Sequence, residues 1–261
     1  MIHNSRKFLF NVIILGPAGS GKTTLASGLG SWISKNTDLR VGYVNLDPAA
    51  DLLPYKPDVD VRKYVDAFKL MREEGLGPNA AIVKSIDMIS FKVNSLLSEL
   101  ARMDADVLLI DTPGQSEVFV FRDSGPSIVD SLRSLGRTIG VYVYDASLRL
   151  GPLESVITYL MSLVIQLRLG IITLPIMNKV DLLPINSYMY DGVLHMELER
   201  IKDRLTSVTG VMEDITSSLL NDVLEYLPSL RILKVSAKTG EGLDALFKYI
   251  HETACTCGDL T

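Results

Sequence analysis

Gly16-Pro17-Ala18-Gly19-Ser20-Gly21-Lys22-Thr23, followed by Thr24, is the segment whose residue types and spacing best support chemistry. Glycines at its first and sixth places let the backbone turn its amides inward around a phosphate, and the lysine can reach the β- and γ-phosphates of a nucleotide. The hydroxyl of Thr23 is suited to ligate magnesium. A helix opening near Lys22 would aim its positive end at the same place. The alternative is a plain glycine-rich turn; the position of the segment between a strand and a helix argues for a phosphate loop.

Asn178-Lys179-Val180-Asp181 selects the base. A carboxylate at Asp181 can accept both the ring N–H and the exocyclic amine of guanine. Adenine has no such donor pair, and a site built on that pairing discriminates by roughly 10⁴-fold or more. The stem of Lys179 would lie along the base and Asn178 would brace the loop. Backbone amides of Ser236-Ala237-Lys238 are placed to meet the guanine carbonyl oxygen. In Asp111-Thr112-Pro113-Gly114-Gln115, Asp111 can hold magnesium through water and Gly114 can give its amide to a γ-phosphate. Gln115 either orients the attacking water or is a solvated loop amide. Asp47, in Asn45-Leu46-Asp47-Pro48, either contacts magnesium or the attacking water, or caps a turn. The expected ligands are therefore GTP or GDP with Mg²⁺. The expected metal-site residues are Thr23, Asp47 and Asp111, and the expected catalytic residues so far are Lys22, Asp47, Asp111 and Gln115.

Strands and helices must hold these segments. Short β-rich runs at 8–15, 40–45, 107–111, 139–145, 171–178 and 231–235 alternate with helical patterns, which predicts an α/β doubly wound, mostly parallel sheet. Asp111, Asp145 and Asn178 end three of the runs, and ligands of such sheets bind beyond the carboxyl ends of strands. Leu243, Leu246, Phe247 and Ile250 form a helical stripe after Gly240 and Gly242. Residues 153–169 are apolar almost all round, as in a helix laid on the sheet. A single domain is expected over 1–261, with a surplus at about 52–104. There, Val61, Tyr64, Val65, Phe68 and Met71 mark a helix ending at Gly75. The turn Gly75-Leu76-Gly77-Pro78-Asn79 follows, and then a second helix to about Met103.

Composition excludes several other classes. The 261 residues carry a net charge of −5 with 47% hydrophobic residues, and no run of five like charges occurs. Mean hydropathy is +0.24, suited to strands covered on both faces. An evenly mixed acidic surface argues against direct nucleic-acid or anionic-membrane binding. No stretch approaches 18 apolar residues. Arg6 and Lys7 precede the apolar run 8–15 as in a leader, but a phosphate loop follows and a buried strand explains the run. Cys255 and Cys257, with only three histidines in the chain, make a poor zinc site and read as a surface thiol pair of unassigned role. The chain reads as cytoplasmic.

These motifs, with Gly77-Pro78-Asn79 in the insertion, together resemble the GPN-loop GTPases over most of the chain. That resemblance implies a P-loop fold whose helical insertion carries the Gly-Pro-Asn loop, GTP hydrolysis, and a homodimer or a heterodimer of paralogues formed through the insertion. In such a dimer Asn79 would face the γ-phosphate in the neighbouring subunit, a neutral amide donating to charge that develops in the transition state. Otherwise Gly-Pro-Asn is a helix–helix turn. Eukaryotic family members are implicated in assembling and importing RNA polymerase II. The long tails of some of them are missing here, so an ancestral, prokaryote-like assembly role with clients such as RNA polymerase subunits is expected by analogy. Pro17 stands where partition-type ATPases carry a signature lysine, and no His- or Cys-rich segment of the nickel-handling relatives is present. A metal-insertion GTPase, a small-molecule kinase using Arg122, Arg133 or Arg137, and a non-hydrolysing GTP scaffold remain as alternatives.

Overall fold

The computed structural model describes residues 8–148, 153–183, 218 and 232–255. Arg6, Lys7, Arg231 and Cys257 lie outside that set, as does the side chain of Cys255.

Among the described residues seven strands form one sheet: β1 (Phe10–Leu15), β2 (Val41–Asn45), β3 (Val59–Asp60), β4 (Val107–Asp111), β5 (Arg137–Asp145), β6 (Thr173–Asn178) and β7 (Leu233–Lys234). Their order is β3-β2-β4-β1-β5-β6-β7, and every pairing is parallel. Period-two alternation splits each central strand between two cores. Ile13 and Leu15 join Val44, Leu108 and Ile110 on one face, while Phe10, Val12 and Ile14 join Leu109, Val141 and Val143 on the other. Helix α1 (Lys22–Asn36) covers the second face together with α8 (Leu243–Cys255). The α8 stripe is real: Leu243, Leu246 and Ile250 are buried, each worth about 1.5–3 kcal/mol against exposure.

The first face takes the remaining helices: α2 (Ala67–Glu74), α3 (Pro78–Ser90), α4 (Val93–Leu100), α5 (Ser116–Phe121), α6 (Ser124–Leu135) and α7 (Leu153–Leu169). Within the surplus segment the sequence-based expectation is refined. Val59–Asp60 is a short edge strand paired to Val44 and Asn45. The helix expected from Val61 is a 3₁₀ turn, Val61–Lys63, and then α2; they are separated because Asp66 turns out of helix and caps α2 through the Lys69 amide. Gly75, at φ +66°, ends α2 in the left-handed conformation open to glycine. Pro78 stands in the first turn of α3, where its fixed φ fits and its missing N–H costs nothing. The helix expected to reach Met103 is two, α3 and α4. At the break the Ser90 hydroxyl bonds the Asp87 carbonyl in place of a helical amide, and Phe91 is left exposed. Arg122 ties the insertion to the domain through a two-pronged pair with Asp87 at 2.6–2.7 Å.

Candidate functional site

β1 pairs with β4 on one side and β5 on the other, so the chain leaving its carboxyl end enters the crevice where the strand order reverses. The phosphate loop occupies that crevice. Gly16, Gly19 and Gly21 sit at φ +146°, +78° and +92°, values that L side chains rarely adopt. A β-carbon on Gly16 would also collide with the Val143 carbonyl, and one on Gly21 with the Asn178 side chain. α1 begins at Lys22, directing its N-terminus into the loop. Pro17, Ala18, Thr23 and Thr24 complete this stretch of backbone, and Ser20 Oγ is buried without a hydrogen-bond partner.

The Lys22 ammonium donates to the carbonyls of Gly16 (2.8 Å), Pro17 (3.0 Å) and Gly114 (2.7 Å). Burial lowers its pKa, opposed by the charges of Asp111, Asp47 and Glu117. Across the crevice, Asp47 accepts from the Ala49 amide at 2.9 Å and the Gly114 amide at 3.2 Å. Burial raises its pKa, and these two amides and Lys22 oppose the rise. The loop after β4 is tied to the phosphate loop by hydroxyls: Thr112 donates to the Ile14 carbonyl at 2.7 Å, and the Gly16 amide donates to Ser116 Oγ at 2.9 Å. Gln115 is the exposed N-cap of α5. Asn79 is exposed in the first turn of α3.

Asp111 is the least satisfied acid of the site. Burial pushes its carboxyl up to about 6, while the Thr23 hydroxyl, the Tyr55 phenol and the Lys22 charge favour the ionised form. Oδ2 accepts from Tyr55 Oη at 3.0 Å, and Oδ1 is buried with no hydrogen-bond partner. A buried, unpartnered carboxylate oxygen beside a threonine hydroxyl at the phosphate loop fits a magnesium ion and its water shell. Thr23 and Asp111 are the residues that would hold it. The third expected ligand, Asp47, accepts one amide on each oxygen, which leaves a lone pair on each. Tyr55 is not marked by any local pattern: the loop after Asp47 folds back so that its ring stacks on Tyr43, centroids 4.9 Å apart, and its hydroxyl meets an acid 56 residues away. Ser116 carries no local signal either, its partner being 100 residues distant.

The far end of the crevice is built by β6 and the turn after β7. Asn178 is buried and spans two elements, donating to the Ser20 carbonyl at 2.9 Å and accepting from the Ala237 amide at 3.0 Å. The exposed Asp181 accepts from the Ser236 hydroxyl at 2.6 Å. The Ser236 amide bonds the Glu241 carbonyl. Two of the three amides expected to meet the base, those of Ser236 and Ala237, are therefore engaged within the protein. Gly21, Thr24, Asn178, Lys179, Asp181, Leu182, Ala237 and Lys238 line a pocket of about 190 Å³. Leu182 is the one lining residue outside the expected set. Two of the arginines considered for a kinase lid are occupied elsewhere, Arg122 by Asp87 and Arg133 by Asp130.

A phosphate loop at the switch point of a parallel sheet, with a base-sized pocket between the ends of β6 and β7, defines a nucleotide-binding protein of the P-loop class. Comparison with known proteins narrows the class. A family model described as "Conserved hypothetical ATP binding protein" matches residues 14–256. The GPN-loop GTPase PAB0955 of Pyrococcus abyssi is 39% identical over 96% of this chain and 99% of its own length. GPN-loop GTPase 1 of Dictyostelium discoideum is 33% identical over 92% of this chain, which spans 60% of that longer protein. The crystal structure of PAB0955, a GTPase in apo form, superposes with a TM-score of 0.78 at 36% identity, covering 95% of this chain and 99% of that one. The chain belongs to the GPN-loop GTPase family.

Proposed function

We propose that the chain binds GTP with Mg²⁺ and hydrolyses it to GDP and phosphate, working as a cytoplasmic homodimer joined through the helical insertion. The observation that carries the reading is the base pocket. Asp181 offers a carboxylate oriented by Ser236, on a loop locked to the phosphate loop by Asn178. That arrangement is complementary to the two donors on the guanine edge and leaves the Lys238 amide for the base carbonyl.

Catalysis then consists of positioning and charge neutralisation. Lys22 exchanges its carbonyl partners for β- and γ-phosphate oxygens. The Gly114 amide moves from Asp47 to the γ-phosphate, which frees Asp47 to orient or deprotonate water. Water attacks the γ-phosphorus as the bond to the GDP oxygen breaks, with Gln115 available to align it. Bound at Thr23 and Asp111, magnesium would supply positive charge to the β- and γ-oxygens. Asn79, exposed on its own subunit, completes the site of the second copy. Among the described residues no helix is long and apolar enough to cross a membrane. By analogy with the family, its clients are proteins such as RNA polymerase subunits.

The test is phosphate release from GTP and from ATP across a protein dilution series. Turnover of GTP alone, with specific activity falling on dilution, supports guanine selection and a site completed by a second copy. Equal use of ATP would remove the role given to Asp181. A specific activity independent of concentration, in a chain that is monomeric by light scattering, would make Asn79 a structural turn.

A further inference from the structure

Asp145 ends β5 next to the base pocket and belongs to none of the phosphate or base motifs. We propose that Asp145 is a positioning residue for guanine-nucleotide binding, holding the Lys179 ammonium so that the four-carbon stem, rather than the charge, covers the base. This inference rests on the guanine-nucleotide reading above.

Both oxygens of Asp145 are committed and the residue is only 7% exposed. Oδ2 accepts from Lys179 Nζ at 2.5 Å, and Oδ1 accepts from the Ser147 amide at 2.9 Å and its hydroxyl at 2.6 Å. Burial would raise the carboxyl pKa, but the bonds from Lys179 and Ser147 hold it below the usual carboxylate range, so the group is charged at neutral pH. Parallel pairing sets Asp145 opposite Asn178, which places the acid one residue from the lysine it holds.

Lys179 itself sits at φ +66°, the one non-glycine positive φ among the described residues. A β-carbon disfavours that conformation, and it persists where the surroundings over-determine it. Here Asn178 is clamped between Ser20 and Ala237, and the ammonium is clamped at Asp145. The stem between these points runs past the phosphate loop, its Cε 3.8 Å from where a Gly21 β-carbon would lie, and it forms one wall of the pocket. Lysine stems cover apolar surface while the charge sits elsewhere. A free stem would have to be ordered when the base arrives, so fixing it beforehand lowers the cost of binding.

The experiment compares Asp145→Ala, Asp145→Asn, Lys179→Ala and the Asp145→Ala/Lys179→Ala double variant. Release of ribose-labelled fluorescent GDP is followed by stopped flow, pyrophosphate binding by calorimetry, and GTP turnover by phosphate release. Asp145→Ala should speed GDP release by about ten-fold, the ordering cost of one long side chain, and Lys179→Ala, which removes the stem itself, by at least about as much. The double variant should be no faster than the quicker single, because the two residues act as one unit. In Asp145→Ala, KM for GTP should rise about ten-fold against a change in kcat of less than about two-fold, with pyrophosphate affinity retained. Asp145→Asn keeps the shape and a hydrogen bond, and it carries the test if the alanine variant does not fold; its release should quicken by about three-fold. Unaltered GDP release in the asparagine and alanine variants, additive effects in the double, or loss of pyrophosphate binding in folded Asp145→Asn would each overturn the inference. Failure of the unmodified protein to bind labelled GDP would instead overturn the guanine reading itself.

Discussion

The base end and the phosphate end of the crevice are satisfied to very different degrees. At the base end the polar groups find partners within the chain: Asn178 with Ser20 and Ala237, Asp181 with Ser236, Lys179 with Asp145. At the phosphate end Ser20 Oγ and Asp111 Oδ1 are buried with none, and the pKa values of Lys22, Asp47 and Asp111 are all displaced by burial toward the uncharged form. Gly114 and Gln115 are exposed there, and Asn79 is exposed on the insertion. On the proposed reading, recognition of the base is thus built into one chain at little local cost. The phosphate half stores unfavourable burial that a charged ligand would relieve. Strain concentrated where chemistry occurs is the pattern expected of a preorganised electrostatic site.

Four experiments would break or sharpen that contrast. Lys22→Ala should lower phosphate release at saturating GTP by about 10³-fold; a loss of less than ten-fold would mean that the reactive half does not depend on its buried cation. Asp111→Asn should stabilise the metal-free, nucleotide-free protein. The folded carboxyl takes up its proton at about 6 and the unfolded one at 3.8, so the cost of the buried charge is fully present above pH 6 and gone below pH 3.8. Urea unfolding should therefore show a gain of about 3 kcal/mol at pH 8 that falls below about 1 kcal/mol at pH 4 and disappears at still lower pH. No gain at pH 8 would show that the phosphate end is not strained. Asp181→Ala should speed GDP release by about 10²-fold and erode the preference for GTP over ATP in competition assays. Asn79→Ala should lower kcat by about ten-fold with KM unchanged. Mixing it with the Lys22→Ala chain should recover activity, because a mixed pair holds one site with both groups. Absence of recovery would place Asn79 in its own subunit's chemistry or in none.

The contrast also sorts what could be read from the sequence. The phosphate loop, the residues after β4 and the Asn-Lys-x-Asp stretch are contiguous, since a backbone cradle or a strand-end loop is a local object. Their residue types announce them. Six strands are visible as apolar runs because a strand buried on both faces has little else in it. β3 is not: two residues, Val59 and Asp60, earn their place only by pairing with β2. The long helix expected from Val61 fails for a related reason, since the Asp66 side chain offers the backbone a cap that the apolar spacing does not register. Tyr55, Ser116 and the Lys179 partner Asp145 act across 56, 100 and 34 residues, and nothing in their immediate neighbourhoods encodes the meeting. Asp145 is legible as a strand-end acid, but its target is not.

The position of β1 between β4 and β5 has a consequence for how the molecule is made. Phe10–Leu15 is buried along its whole length, yet its first hydrogen-bonded neighbour begins at Val107 and its second at Arg137. The hydroxyl that locks Thr112 to Ile14 likewise closes a loop of 98 residues. At a translation rate of roughly 5–20 residues per second, β1 emerges about 5–20 s before any partner strand exists. During that interval a six-residue β-former lacks both of its partner strands. Slowing synthesis between residues 46 and 106 should therefore lengthen the exposure of this segment and lower the soluble yield.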